Sequence, residues 1–270
     1  MAIRWLKLTV AYDGGAYAGW QVQPDKSTVQ GVFEDAWHQI THESVRATAA
    51  GRTDAGVHAL GQVVGVSTES RLSNDELLRA LNAVLADDIA VVTVEDAREG
   101  FHATYDARAK RYRYQIHNAR SRSVFDRKFT WHYPHPLDAA AMHAAGQALV
   151  GRHDFSSFES AGSERPDSVR TITELTVERG LHVDESLRDS KLPVSERLLY
   201  VQPSERVTIE VAGDGFLYNM VRVIVGTLVK VGRGNRDVTW PREVLEALDR
   251  RRAGQTAPPH GLFLARVDYE

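Results

Sequence analysis

Apolar residues in this chain switch between a period of two and a helical spacing, and they do so in the same order twice. From Leu6 to Tyr12 they alternate, as a half-buried strand requires. From Val29 to Ile40 they recur at helical spacing, and at the start of this stripe Ser27 and Gln30 have the spacing of a capping box. The chain is therefore predicted to begin with a strand and a helix.

Four further elements complete this first unit. Strands are predicted at Val45 to Ala50 and Leu60 to Thr68, on either side of a glycine-bounded loop. A second capping box, Ser73 with Glu76, starts an amphipathic helix, and a strand follows at Ile89 to Glu95. The order is strand, helix, strand, strand, helix, strand.

The second half repeats this order with longer pieces. The predicted elements are a strand at Arg108 to His117, a helix at Leu137 to Val150, strands at Ser168 to Gly180 and Arg206 to Ala212, helices at Phe216 to Val231 and Trp240 to Arg251, and a strand at Gly261 to Tyr269. The stretch Leu181 to Glu205 is rich in charge, serine and proline and has no clear period, which predicts an exposed insertion.

The repeated order predicts an α+β fold of two ferredoxin-like halves, an arrangement that the RNA-binding RRM module also uses. Each half has a mainly antiparallel sheet flanked by helices. We expect a boundary near residue 106, with an N-terminal unit of residues 1–106 and a C-terminal unit of residues 107–270. The two sheets face each other or join across a cleft, and we expect the active site there because ligands favour such clefts.

The absence of cysteine narrows the chemistry of this 270-residue chain. It removes disulfides, cysteine zinc sites and thiolate nucleophiles, and with them zinc-dependent base deaminases and pyrimidine methylation through a thiolate adduct. No segment approaches the length of a membrane span, and the N-terminus lacks the pattern of a signal peptide. We therefore expect a cytoplasmic protein without a membrane partner.

Neither a cofactor nor a metal is expected. The sequence has no Walker loop and no dinucleotide fingerprint after a strand. Glu34, His38 and His42 stand at i, i+4, i+8 and could line up as metal ligands, but a solvated helix face is the favoured interpretation.

A local basic cluster indicates a nucleic-acid partner, although the net charge of −3 does not. It comprises Arg108, Lys110, Arg111, Arg113, Arg120, Arg122, Arg127 and Lys128, against the single acid Asp126. A solvated basic face is the alternative interpretation.

The strand within this cluster separates aromatic from basic side chains. A period of two puts Tyr112 and Tyr114 on one face and Arg111 and Arg113 on the other. One face can stack on a base and the other can meet phosphate, whereas packing of both tyrosines in the core is the alternative.

The loop from Gly51 to His58 presents a carboxylate, Asp54, between two glycines. Such an aspartate either stabilises its turn or belongs to a polar site. Arg222 stands alone in an otherwise apolar helix, and a buried guanidinium needs a carboxylate, either a structural acid such as Asp214 or Asp54 itself. We expect Arg222 within direct hydrogen-bonding reach of Asp54, where it would lower the pKa of that carboxyl.

Four segments together resemble the tRNA pseudouridine synthase A family, and the match extends over nearly the whole chain. They are the opening motif Tyr12 to Gln23, the loop Gly51 to His58, the segment Gly215 to Arg222 and the closing motif Thr256 to Leu262. A fifth position, Tyr112, matches the tyrosine of the family's active site. The chain departs from the family at Thr104 and Lys110, where arginine is more usual.

This resemblance implies the roles of individual residues. Asp54 is the implied catalytic residue, Arg222 its partner, and Arg52 a catalytic arginine that displaces the base or contacts the substrate. Tyr112 is implied to stack on the target base. Further substrate contacts are expected from His58, Lys110, Arg111 and Arg113.

The implied reaction is the isomerisation of uridine to pseudouridine in tRNA, an intramolecular transfer. The target base leaves the stack, its N1 glycosidic bond breaks, and C5 bonds to the same sugar carbon. The carboxylate either attacks the sugar carbon or removes a sugar proton, and the sequence leaves both routes open. The family further implies uridines at positions 38 to 40 of the anticodon stem-loop, and a homodimer.

Two other functions compete with this interpretation. A non-catalytic RNA-binding protein of two RRM-like halves would use Asp54 only as a turn residue. A nucleoside or sugar hydrolase would need a second acid near Asp54, and the sequence places Arg52 there instead.

Overall fold

The computed structural model describes residues 3–160, 162, 167–183 and 201–269. The strands are β1 (Arg4–Tyr12), β2 (Thr48–Ala49), β3 (His58–Thr68), β4 (Ile89–Asp96), β5 (Ala109–His117), β6 (Trp131–His132), β7 (Gly151–Asp154), β8 (Val169–Val183), β9 (Val201–Gly213) and β10 (Leu262–Asp268). The helices are α1 (Val29–Thr41), α2 (Asn74–Val84), α3 (Ala139–Gly146), α4 (Met220–Gly232) and α5 (Trp240–Ala247).

The ten strands of the described residues form one sheet, in the order β4-β1-β3-β10-β5-β9-β8-β7, with β2 beside β3 and β6 beside β5. The series β4-β1-β3-β2 and β10-β5-β9-β8 each have the strand order of a ferredoxin-like unit. The predicted α+β fold is therefore confirmed. The two units join edge to edge, because β10 pairs in parallel with the start of β3 through Phe263 with His58 and Leu264 with Ala59. The division at residue 106 stays a prediction.

Of the two predicted capping boxes, the one at the start of α2 is confirmed and the one at the start of α1 is wrong. In α2 the capping box is present, since Glu76 N donates to Ser73 Oγ and Ser73 N donates to Glu76 Oε2. In α1 the predicted box is wrong. The N-cap is Thr28, which accepts from Gly31 N, while Gln30 is buried and its side chain donates to the carbonyl of Ala47.

Several predicted boundaries in the second half are wrong. Helix α4 starts only at Met220, because Asn219 has a left-handed backbone with φ of 61° and forms its N-cap. Helix α5 ends at Ala247, where Leu248 is left-handed. The helix predicted to Val150 becomes a 3₁₀ turn after Gly146. In the first half, the strand predicted at Val45 to Ala50 is also too long, since β2 has only two residues.

The predicted insertion Leu181 to Glu205 is partly strand. Strand β8 continues to Val183 and β9 begins at Val201, so both ends of the stretch pair with each other in an antiparallel ladder. The remainder, residues 184–200, lies outside the described residues. The added pairs are short, Leu181 with Pro203, His182 with Gln202 and Val183 with Val201, and three-residue strand ends next to a charged, serine-rich stretch are too short to show a period.

Helix α4 is buried on nearly all sides, and the segment Gly254–Ala257 lies directly against it. A Cβ at Gly226 would lie 1.8 Å from the carbonyl oxygen of Gln255. Gly254 N donates to Thr227 Oγ1 at 2.9 Å, and Ala257 N donates to the carbonyl of Arg222 at 3.0 Å. The absence of side chains at two glycines therefore lets the chain dock on the helix beside Arg222.

We expect Gly226→Ala to lower the free energy of unfolding by about 2 kcal/mol. Alanine has a helix propensity about 1 kcal/mol more favourable than that of glycine. Overpacking costs roughly 1–3 kcal/mol, and we expect the upper value here because a main-chain carbonyl must move. The difference between the two is the expected loss. Chemical denaturation measures the change. Gly215→Ala is the control, because a Cβ there would meet its nearest atoms at an ordinary 3.6 Å. Equal stability of the two variants would contradict the close docking.

Candidate active site

The loop that carries Asp54 is held by the segment after β1. Trp20 N donates to the carbonyl of Thr53 at 3.0 Å, and the Tyr12 hydroxyl lies 2.8 Å from Thr53 Oγ1. Gly19 has a φ of 100°, and a Cβ there would lie 2.6 Å from the Thr53 carbonyl oxygen. Only glycine permits this backbone and this approach. The opening motif thus fixes the loop from one side.

A buried glutamine, Gln62 on β3, holds the start of the same loop. Its Nε2 donates to the carbonyl of Gly51 at 2.6 Å, and Gly51 N donates to its Oε1 at 3.4 Å. Gln62 is fully buried, so both of these bonds replace water. No sequence motif singles out Gln62, although a lone amide in the apolar run of β3 is a signal that marks it.

The structure brings Asp54 and Arg222 together at the end of this loop. Arg222 Nη1 lies 4.0 Å from Asp54 Oδ2, and their side chains are 15% and 30% exposed. This is an ion-pair distance, so the prediction of a direct hydrogen bond is wrong. The alternative partner Asp214 instead accepts from Thr171 N at 2.9 Å.

Neutral acceptors orient the Arg222 guanidinium. Its Nη1 donates to Asn219 Oδ1 at 2.6 Å, and its Nε donates to the carbonyl of Ala257 at 2.7 Å. Asn219 occupies its left-handed conformation one helical turn before Arg222, which brings the amide oxygen to the guanidinium. Ala257 belongs to the closing motif. The closing motif and α4 therefore together orient the Arg222 guanidinium toward Asp54.

Burial sets the pKa of Asp54, in the direction opposite to the one expected from sequence. Removal from water raises the pKa of this carboxyl, and the nearby Arg222 cation offsets the rise only in part. Burial likewise lowers the pKa of Arg222, while Asp54 raises it. The pair therefore supplies a carboxylate that is more basic than an exposed aspartate, beside a fixed positive charge.

Two side chains of β5 lie beside the loop. A Cβ on Gly51 would be 3.6 Å from the Tyr112 hydroxyl and 3.7 Å from Cδ and Cε of Lys110. The Tyr112 ring is 8% exposed and meets Phe216 edge to face, with centroids 5.1 Å apart. Tyr112 and Lys110 thus border the same site as Asp54. Its neighbour Tyr114 is fully buried, in agreement with the core alternative for that residue.

Arg111 and Arg113 lie on the opposite face of β5 and pair with acids of neighbouring strands. Arg111 Nη2 lies 2.6 Å from Glu174 Oε2, and Arg111 Nη1 lies 3.2 Å from Glu210 Oε2. Arg113 Nε lies 2.7 Å from Glu210 Oε1. Carboxylates of β8 and β9 hold these two arginines, on the face of β5 opposite to Tyr112. Their contact with substrate phosphate stays a prediction.

Arg52 and His58 have opposite environments. Arg52 is exposed, and no acid among the described residues lies within ion-pair distance of it. His58 is 1% exposed: its Nδ1 accepts from Gly14 N at 3.0 Å, its Nε2 is 3.2 Å from the carbonyl of His260, and its ring stacks on Phe263. These contacts let His58 support the end of the Asp54 loop, and its contact with substrate stays a prediction. Burial lowers the pKa of this imidazole.

The described part of the chain contains no group of three or more histidine, cysteine, aspartate or glutamate side chains arranged to hold a metal ion. Glu34 instead accepts from Ala47 N at 2.9 Å and from Gln30 Nε2 at 2.8 Å. Of the helices within the described ranges, none is long and apolar enough to cross a membrane.

Comparison with known proteins gives a consistent result. The sequence profile of the tRNA pseudouridine synthase family matches residues 8–106 and 145–270. Proteins named tRNA pseudouridine synthase A are similar over almost the full length of both chains: that of Geobacillus sp. (strain WCH70) is 44% identical, covering 98% of each chain. The protein of Acetivibrio thermocellus is 43% identical over 99% of this chain and 100% of its own. That of Brevibacillus brevis is 43% identical over 98% and 99%.

Proposed function

The chain belongs to the tRNA pseudouridine synthase family, and on that premise we propose that it converts uridine to pseudouridine in tRNA with Asp54 as the residue that acts on the nucleotide. The observation that carries this proposal is the pairing of Asp54 with Arg222 at 4.0 Å, on a loop that the opening and closing motifs hold in place. A turn-stabilising aspartate would not need a buried cation beside it.

The reaction is balanced within one nucleotide. The bond between N1 of uracil and the sugar carbon breaks, the ring turns, a bond forms from C5 to the same carbon, C5 loses its proton and N1 gains one. The Asp54 carboxylate either attacks the sugar carbon or removes a sugar proton, and both routes require its ionised form. The raised pKa favours either role, because a more basic carboxylate is the better nucleophile and base.

The neighbouring side chains suit an extruded base. The Tyr112 ring borders Gly51 and provides an aromatic surface for stacking, which is worth about 1–3 kcal/mol per base. Arg52 is exposed and is placed two residues from Asp54, where it contacts the nucleotide or fills the position that the base has left. Lys110 lies beside the same loop and contributes a positive charge for phosphate.

The target and the assembly are part of the same proposal. We propose uridines at positions 38 to 40 of the anticodon stem-loop as substrates, a homodimer as the working form and the cytoplasm as the location. Membership of the family supports all three. Analytical ultracentrifugation of the free protein tests the dimer, which should be the main species at micromolar concentration.

Incubation with an unmodified tRNA transcript, followed by mapping of pseudouridine, tests the reaction and its position together. We expect pseudouridine at one or more of positions 38 to 40 and no free uracil. Free uracil as the product would indicate a hydrolase instead. Tight tRNA binding without any product would indicate a binding module and would contradict the proposed function.

A further inference from the structure

The connection between β5 and β6 exposes an unusual combination of side chains. We call residues Arg120–Lys128 the basic loop. Its tip carries Phe125, which is 92% exposed, and Val124, which is 62% exposed. Around them stand four exposed basic residues: Arg120, Arg122, Arg127 and Lys128. Covering this apolar tip with a partner would remove its area from water, which is favourable.

The basic loop is anchored from both flanking strands. His117 Nε2 lies 2.9 Å from the carbonyl of Ser121, and His132 Nε2 lies 2.9 Å from the carbonyl of Ala119. At the far end, Thr130 Oγ1 donates to the carbonyl of Asp126 at 3.0 Å. These bonds hold the tip in a defined conformation, so Phe125 projects from a supported loop.

Phe129, the residue directly after the basic loop, contacts the site already described. The ring of Phe129 lies 5.1 Å from that of His58 and 6.3 Å from that of Phe263. His58 ends the loop that carries Asp54. The chain that leaves the basic loop therefore packs directly against the end of the Asp54 loop.

The charges of the basic loop favour a polyanion. Its one acid, Asp126, is neutralised by Arg206 at 2.9 Å. Arg127 donates to the carbonyl of Val124. Within the described ranges no acid forms an ion pair with the remaining basic side chains, Arg120, Arg122 and Lys128. A protein partner would suit the apolar tip alone, whereas RNA suits the tip and the cations together.

We propose that the basic loop is a second contact surface for the RNA substrate, with Phe125 stacked on an unpaired base and the surrounding cations on phosphates. This inference rests on the proposed function, since it takes the substrate of that same site. Stacking on an aromatic ring tolerates any base, and phosphate contacts are independent of sequence. The basic loop therefore contributes affinity and orientation, and the chemistry stays with Asp54.

The test is binding of an unmodified tRNA transcript by Phe125→Ala, with Val92→Ala as the matched control. Val92 is also an exposed apolar residue, at 51%, but it lies on β4 at the far edge of the sheet. We expect Phe125→Ala to raise the Kd for the transcript about 10-fold, within the range of one lost stacking contact. A blunt RNA duplex should show little change, because it offers no unpaired base.

A second variant tests the charges. In Arg120→Gln/Arg122→Gln/Lys128→Gln, the slope of log binding constant against log salt concentration should become less steep by about 2 to 3, since each of the three lost phosphate contacts removes about 0.7–0.9. Wild-type affinity in Phe125→Ala, or an unchanged salt slope in the triple variant, would overturn the proposal. So would dissociation of an oligomer in Phe125→Ala with no loss of RNA affinity, which would show that the tip contacts protein.

The binding assay separates this inference from the proposed function. If the wild type makes pseudouridine and Phe125→Ala binds tRNA normally, only the basic loop assignment fails. If the wild type binds tRNA through Phe125 without making pseudouridine, the proposed reaction fails and the contact surface stands.

Discussion

Asp54→Asn is expected to slow pseudouridine formation by roughly 10³-fold or more, the upper part of the range for loss of one acid–base group. Asparagine has nearly the same shape as aspartate but cannot ionise, so neither attack on the sugar carbon nor removal of a sugar proton is available to it. Binding of tRNA should be retained, because other side chains make the RNA contacts. Single-turnover formation of pseudouridine and a separate tRNA binding assay measure the two quantities.

The stability of the same variant tests the environment of Asp54. Burial raises the pKa of this carboxyl in the folded protein, so folding disfavours its ionised form at neutral pH. Replacing the charge with a neutral amide removes that cost. We therefore expect Asp54→Asn to unfold at an equal or higher denaturant concentration than the wild type, even though its activity is lost.

Asp87→Asn is the matched control, since Asp87 is exposed and lies before β4. It should leave both turnover and stability unchanged. Substantial turnover by Asp54→Asn would show that Asp54 is a turn residue. A folded protein that fails to bind tRNA would instead show that Asp54 supports the RNA surface.

Features set by local pattern could be predicted from the sequence. The alternation in β5 predicts the buried face with Tyr112 and Tyr114, and Ser73 with Glu76 predicts the start of α2. The repeated order of strands and helices predicts two ferredoxin-like units, because each element must bury an apolar face against its neighbours. The solitary charge of Arg222 in an apolar helix predicts a carboxylate partner but leaves Asp214 and Asp54 both open, and the tertiary structure places Asp54 nearest.

Features set by contacts distant in the sequence could not be predicted in this way. The partners of Arg111 are fixed by the register of β5, β9 and β8, which brings Glu210 and Glu174 beside it. The hydrogen bond from Gln62 to the Gly51 carbonyl likewise depends on where the tertiary structure places the Asp54 loop relative to β3. The direction in which the pKa of Asp54 shifts depends on how far the folded site removes the carboxyl from water. The sequence of one motif does not determine that burial.

Arg222→Gln is expected to reduce turnover on the order of 10²-fold at neutral pH, the effect of removing one preorganised charge from an active site. Arg222 now lowers the pKa of Asp54, although burial outweighs it. Without the cation, the pKa of Asp54 must rise further. Because the reaction needs the ionised form, activity is lost as pH falls through that pKa, and the acid limb of the pH–rate profile should move to higher pH.

Two further variants separate this electrostatic role from support of the fold. Arg233→Gln removes an exposed cation at the other end of α4 and should leave the profile unchanged. Asn219→Gly keeps the left-handed backbone and the Arg222 charge but removes the acceptor of Nη1, so we expect a smaller loss of rate. If Arg222 were only structural, Arg222→Gln would lower the whole profile without moving its acid limb. A shifted limb in Arg222→Gln, unmatched in Arg233→Gln, requires the cation to act on the Asp54 carboxylate itself.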